Sequence, residues 1–240
     1  MILTFDMDWA PDFVVEDIIK RLTRHHVKAT WFVTNASESL EHLRKLPELF
    51  ELGIHPNFSE HSSHGSSIEE VLTNMTKLVP EAVSTRSHQV FQSGPLLKLL
   101  VEHKTILIDS TLYLPEMPGI RPVKLQFGNC TLIRIPIFWA DDHEMVKPNP
   151  SFDLKSLEIK SGLRVLLFHP IHAYLNSETP ELYAHLRRKF GSISEWREPD
   201  ISPYIHEGEG TGTLLDQCIR TLGQSGDSRT LKDLVEFSDE

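Results

Sequence analysis

Ile2-Leu3-Thr4-Phe5-Asp6-Met7-Asp8 opens the chain as a short apolar strand that runs into two carboxylates two positions apart. Side chains on a strand alternate, so acids spaced in this way can point together into one pocket. The other reading is that one of them caps the helix beginning near Pro11, a role for which Asp12 is placed as well or better. Downstream, Phe13, Val14, Ile18, Ile19 and Leu22 recur at helical spacing. Val27 to Val33 is β-branched and aromatic, the mark of the next strand.

The spacing then predicts a helix over 40–52 closed by Gly53, a short strand at Gly53-Ile54, and a polar loop over 56–67. Further strands are expected over 83–86, 105–109, 131–137 and 164–168, and helices over 68–78, 95–103, 180–190, 212–222 and 230–237. Strand and helix in alternation are the pattern of a parallel sheet. The expected fold is α/β, a (β/α) barrel, complete or incomplete, forming a single domain over 1–240. No Gly-rich phosphate loop follows the first strand, which disfavours a nucleotide-cofactor fold. The stretch 192–213, with Pro199, Pro203, Gly208, Gly210 and Gly212, reads as a long connection able to cover a site.

Composition narrows the function. With 240 residues, 40% hydrophobic and 24% charged, the chain is neither disordered nor fibrous. Lys and Arg total 24 against 34 Asp and Glu, and the net charge of -10 argues against nucleic-acid and anionic-membrane partners. The longest apolar runs, such as Leu163 to Phe168, stop far short of the ~20 residues that span a bilayer. Met1 leads straight into the first strand without a basic leader, and Cys130 and Cys218 form no disulfide framework, so the expected compartment is the cytoplasm.

Thirteen histidines make a metal or acid–base site worth seeking. In a parallel barrel, functional groups gather at the carboxyl ends of strands. There the sequence places Asp6 and Asp8, then His55, His61 and His64, then Arg86-Ser87-His88, Asp109-Ser110-Thr111 and His169-Pro170-Ile171-His172. A carboxylate with two imidazoles is a frequent catalytic metal set with open positions for water. Trp139-Ala140-Asp141-Asp142 reads either as a pocket wall or as a plain strand exit. His25, His26, His42, His103, His143, His185 and His206 fall on helices or loops and read as surface residues.

Taken in order, these motifs resemble those of the NodB-type polysaccharide deacetylases, carbohydrate esterase family 4. Thr4-Phe5-Asp6-Met7-Asp8 is similar to the family's TFDDG, in the DxD spelling of members acting on lipid-linked or surface-polysaccharide sugars. Glu51-Leu52-Gly53-Ile54-His55 matches the start of its HxxxH motif, but Ser59 stands where the second histidine belongs. Arg86 matches the arginine of the third motif, Asp109-Ser110-Thr111 resembles the fourth, and Leu166-Leu167-Phe168-His169 the last. The resemblance spans about residues 1–175 and implies a distorted barrel of seven strands.

It also implies a metal-dependent N-deacetylase of a sugar in O-antigen or surface-polysaccharide synthesis, with an N-acetylated sugar, nucleotide- or lipid-linked, as substrate. Asp8, His55 and His64 would hold one divalent ion, zinc first, with iron, cobalt or nickel as alternatives. His64 is preferred to His61 for its Ser-Ser-His-Gly turn. Asp6 would be the base held by Arg86, and His169 the acid with Asp109 as its partner. His88, Trp139 and His172 would face the substrate. Two other readings stay open: a metal-dependent phosphoesterase, and a barrel that binds saccharide without turning it over.

Overall fold

The computed structural model describes residues 1–158 and 161–235. Nine strands form one sheet in the order β6-β7-β5-β4-β3-β2-β1-β9-β8. They are β1 Ile2–Asp6, β2 Ala29–Val33, β3 Phe50–Ile54, β4 Ser84–Thr85, β5 Ile108–Asp109, β6 Val123–Phe127, β7 Cys130–Arg134, β8 Trp139–Ala140 and β9 Val165–Phe168. All neighbours are parallel except β6 with β7. Among the described residues β6 and β8 do not pair, so the sheet is a half-barrel with a seam, an incomplete member of the expected α/β class.

β1 lies between β2 and β9 and is buried along its whole length, as a strand covered on both faces must be. Phe5 stacks on Trp31 at 4.4 Å and meets Phe168 at 6.0 Å, which fixes the middle of the core. The helices are α1 Asp12–Arg24, α2 Glu38–Arg44, α3 Ile68–Leu78, α4 Gly94–Glu102, α5 Asp141–Met145, α6 Pro170–Leu175, α7 Pro180–Phe190, α8 Glu198–Ile201, α9 Thr211–Ser225 and α10 Lys232–Val235. α1 buries Val14, Ile18, Ile19 and Leu22 of the expected stripe together with Val15, while Phe13 is only partly buried against the core. Asp12 caps no turn of its own helix. Its carboxylate accepts the Ser39 N–H at 2.9 Å and so fastens the start of α2 to α1.

Two expectations fail. The helix over 40–52 stops at Arg44, because Pro47 cannot continue it, and β3 begins at Phe50. Gly53 is therefore a strand residue, and its lack of a side chain serves close packing. A Cβ there would stand 2.6 Å from Ser84 Oγ and 2.8 Å from the Phe32 ring. The strand expected over 131–137 forms over 130–134 as one half of the hairpin β6–β7, most of whose residues are exposed. The helix at 230–237 forms over 232–235, and its last two residues lie outside the described ones.

Candidate active site

The chain turns sharply after β1. Asp8 and Trp9 both take left-handed backbone, at φ 44° and 57°, and the Trp9 N–H is held by Thr34 Oγ1 at 3.1 Å. Left-handed backbone at a bulky residue is strained and persists only where its surroundings enforce it. The turn keeps both acids on one side. Asp6 Oδ1 accepts from Arg86 Nη1 at 2.8 Å, while Asp8 Oδ1 lies 3.1 Å from His55 Nε2 and 3.1 Å from His88 Nδ1.

Arg86 is fully buried among polar and aromatic partners. It donates to Thr4 Oγ1 at 2.8 Å, to the Ser110 carbonyl at 3.0 Å and to Ser110 Oγ at 2.9 Å, and lies 4.3 Å from the Phe32 ring centroid. A buried guanidinium needs such a set, since an unpaired charge there would cost several kcal/mol, about 3–5. Asp6 Oδ1 is thereby occupied, and Oδ2 stands 3.8 Å from His55 Nε2.

Asp8, His55 and His88 meet at one point, with the two ring nitrogens 3.3 Å apart. Burial would raise the Asp8 carboxyl, but hydrogen bonds from His55 and His88 outweigh it and hold it well below the usual carboxylate range. Burial opposes charge on His55, yet Asp6 and Asp8 prevail and raise its pKa. Three donors spaced 3.1–3.3 Å suit a small divalent ion, since bonds of about 2.0–2.1 Å set tetrahedral donors about 3.3 Å apart. His55 Nδ1 is buried without a partner, which leaves Nε2 as the atom turned to the site.

His64 is not in this group. Its Nδ1 accepts the Asn57 N–H at 3.0 Å, so the proton of the neutral ring sits on Nε2, which is buried and without a partner. No lone pair remains for a metal, and burial lowers its pKa. His61 is exposed on the same loop. The second imidazole of the cluster is therefore His88, which the sequence reading had turned to the substrate. The Trp9 ring stands between the two, 5.6 Å from His64 and 5.3 Å from His88.

Asp109 does not partner His169. Its carboxylate is taken by Arg134 Nε at 2.7 Å and by the Thr111 N–H at 3.0 Å. Asp141, just after β8, has that place: Oδ1 lies 2.6 Å from His169 Nδ1 and Oδ2 accepts the His169 N–H at 2.7 Å. Burial opposes charge on His169, but Asp141, with Asp8 behind it, raises its pKa well above the ordinary value. His169 Nε2 then faces Asp8 Oδ2 at 3.4 Å. A carboxylate directly after a strand in Trp139-Ala140-Asp141-Asp142 was the signal for this partner.

The cleft over these groups has a volume of about 270 Å³. Besides Asp6, Asp8, His55, His88 and His169 it is lined by Gln89, Val90, Tyr113, Ile137, Ala140, Asp142, His143 and Leu167. Gln89 and Val90 take left-handed backbone, at φ 55° and 48°. Trp139 and His172 do not line it. Strand alternation turns Ala140 to the cleft and Trp139 into the core, where its Nε1 donates to Glu144 at 2.9 Å. His172 sits behind His169, edge-on at 5.7 Å, with its pKa lowered by burial. A larger cavity of about 590 Å³ lies away from this chemistry, beside Lys28, Arg44 and Glu51.

Residues 3–187 match a family model described as WbmS-like: Polysaccharide deacetylase. The chain is 32% identical to a solved protein from Bordetella bronchiseptica described as a polysaccharide deacetylase involved in O-antigen biosynthesis, over 92% of this chain and 89% of that one, with a TM-score of 0.79. Two other structures share the fold. Peptidoglycan deacetylase PdaC from Bacillus subtilis is 17% identical over 98% of this chain and 89% of its own, with a TM-score of 0.51. A family 4 carbohydrate esterase from Bacillus anthracis is 17% identical over 98% and 81%, with a TM-score of 0.50. No curated protein matches the chain. The chain belongs to the WbmS-like polysaccharide deacetylase family, hydrolases that release acetyl groups from saccharides.

Proposed function

We propose that this protein is a metal-dependent N-deacetylase of an N-acetylated sugar, carried as a lipid-linked or nucleotide-linked intermediate of surface-polysaccharide synthesis. One observation supports it above the rest. The meeting point of Asp8, His55 and His88 is flanked by a carboxylate held by Arg86 and an imidazole held by Asp141. A carboxylate placed as base and an imidazole placed as acid on either side of one cluster are what amide hydrolysis needs.

Asp8, His55 and His88 would hold one divalent ion, zinc first for a carboxylate with two imidazoles, and iron, cobalt or nickel as alternatives. When bound, it supplies Lewis acidity toward the amide carbonyl and a lower pKa for water. Asp6, fixed by Arg86 through Oδ1, takes the proton of the attacking water on Oδ2. His169 delivers its Nε2 proton to the nitrogen as the C–N bond breaks, so acetate and the free amine leave. The acetyl methyl rests on Ile137, Ala140 and Leu167, an apolar cluster against which Val90 and Tyr113 pack. The whole chain acts as one catalytic domain in this reading.

The phosphoesterase alternative calls for a second ion. Asp141, Asp142 and His169 form a second group of donors, but both Asp141 oxygens are already engaged by His169. The two cysteines are free and no described helix is long and apolar enough to cross a membrane. Free thiols accord with synthesis in the cytoplasm before export.

Release of amine from an N-acetylated sugar, with metal content measured alongside, tests the assignment. Asp6→Asn should keep a full equivalent of divalent ion and lose about 10²–10⁴-fold in rate. Full activity in that variant would end the deacetylase reading, and loss of metal would exchange the roles of Asp6 and Asp8.

A further inference from the structure

Strand alternation sends Leu3, Phe5 and Trp31 to the core beneath the helices and turns Ile2, Thr4, Asp6, Thr30 and Phe32 to the inside of the half-barrel. Phe32 is fully buried there. The Arg86 guanidinium stands 4.3 Å from its ring centroid, the His55 ring lies 6.5 Å away, and Gly53 leaves room for it against β3. Phe32 also belongs to a buried cluster with Ile2, Ile108, Ile135, Val165 and Leu231. Ile2, Ile108 and Val165 open their strands, so this cluster lies at the end of the barrel opposite the cleft.

Leu231 comes from a distant part of the chain and is fully buried at that end. Its N–H donates to Thr30 Oγ1 at 3.0 Å, and the next N–H, that of Lys232, donates to Glu51 Oε2 at 2.8 Å. Glu51 is a buried carboxylate that the mechanism leaves unused. It also accepts from Thr30 Oγ1 at 2.8 Å and from Ser84 Oγ at 2.7 Å, so its oxygens join β2, β3 and β4 to the segment that carries Leu231. Lys28 adds two ties, its N–H to Ser228 Oγ at 3.0 Å and its Nζ to Asp233 Oδ2 at 3.2 Å. A buried carboxylate with three donors is a fixed point, because the loss of any one leaves a desolvated oxygen short of a partner.

We propose that Leu231, held by Glu51, is a plug that positions the catalytic layer: it supports Phe32, Phe32 supports Arg86, and Arg86 aims Asp6. Leu231 and Glu51 are positioning residues, since neither lines the cleft. Close-packed interiors transmit displacement, and a leucine cut back to alanine leaves a hole into which the Phe32 ring can settle. Arg86 then loses the aromatic face beside it, and the Asp6 carboxylate loses the rigidity of its holder. The effect on rate rests on the deacetylase reading above, whereas the effect on Arg86 does not.

Arg86 Nε–H donates to the Ser110 carbonyl, so its hydrogen exchange, followed by NMR on the zinc-loaded full chain, reports how firmly the guanidinium is held. In Leu231→Ala and in Glu51→Gln that proton should exchange about tenfold faster than in the parent. Turnover of tri-N-acetylchitotriose should fall about tenfold in kcat at unchanged KM and full zinc content, because a displaced base loses alignment rather than affinity. Leu231→Met refills the space and should restore both readouts. Leu222→Ala, at a buried leucine of α9 outside this cluster, should lower the melting temperature and leave both at parent values. Leu231→Val removes less and decides the question where Leu231→Ala does not fold. An Arg86 exchange rate equal to the parent's, a kcat equal to that of an active parent, or equal losses in Leu222→Ala overturn the proposal. Faster Arg86 exchange in variants of a parent that releases no amine upholds the plug and ends the deacetylase reading. Unchanged exchange beside undiminished turnover ends the plug and spares that reading.

Discussion

At the scale of single residues, this site is decided by which ring nitrogen has a lone pair to give. His64 spends its own on the Asn57 N–H, and His88 turns its Nδ1 to Asp8. His88→Ala and His55→Ala should therefore lose the divalent ion, while His64→Ala keeps a full equivalent and loses only stability, by about 0.5–1.5 kcal/mol for one hydrogen bond. Metal analysis of the purified variants checks this, and retention by His88→Ala would refute it. Asp141 raises the pKa of His169, so Asp141→Asn should lower it, as read by NMR titration of the metal-free chain. His169 must be protonated to act as the acid, so the alkaline limb of the rate profile should move to lower pH in the same variant.

At the scale of elements, the strands and helices with one-sided burial were legible, and the partners contributed by distant strands were not. Asp6 and Asp8 announce themselves as acids closing an apolar run, and α1 as a stripe of five aliphatic residues. Asp141 is visible as a carboxylate at a strand exit, but its choice as the partner of His169 over Asp109 depends on β8 lying beside β9 in the sheet. The misread helix over 40–52 shows apolar spacing overruling a visible Pro47, and β6 is missed by the sequence reading although Val123, Leu125 and Phe127 alternate with Lys124 and Gln126. Gly53 shows how tightly β3 packs on its neighbours. Gly53→Ala should cost about 1–3 kcal/mol in urea unfolding, because the added methyl must displace Ser84 or Phe32. An unchanged midpoint would mean that the contact relaxes freely.

At the scale of the molecule, an ion held by Asp8, His55 and His88 would join the segments that follow β1, β3 and β4, so loading should stabilise the whole fold. An ion at a hundred times its Kd adds about 2.7 kcal/mol when it binds only the folded chain. The melting temperature should rise on zinc addition in the parent protein and stay level in His88→Ala. A rise of equal size in both would place the ion elsewhere.

The two imidazoles at the centre stand on the loops that follow two separate strands, and their spacing depends on the β3–β4 pairing of Ile54 with Thr85. The stretch from Ser59 to Ser63 is largely exposed and supplies none of the three clustered donors. It is a place where the chain can lengthen, acquire a reporter peptide or be exchanged for the loop of a relative. A slip of one residue between β3 and β4, by contrast, would carry His88 about 3.3 Å and turn it to the opposite face. Insertion should thus be tolerated in that exposed loop and resisted in β3 and β4, two strands that carry none of the clustered donors yet set the distance between them.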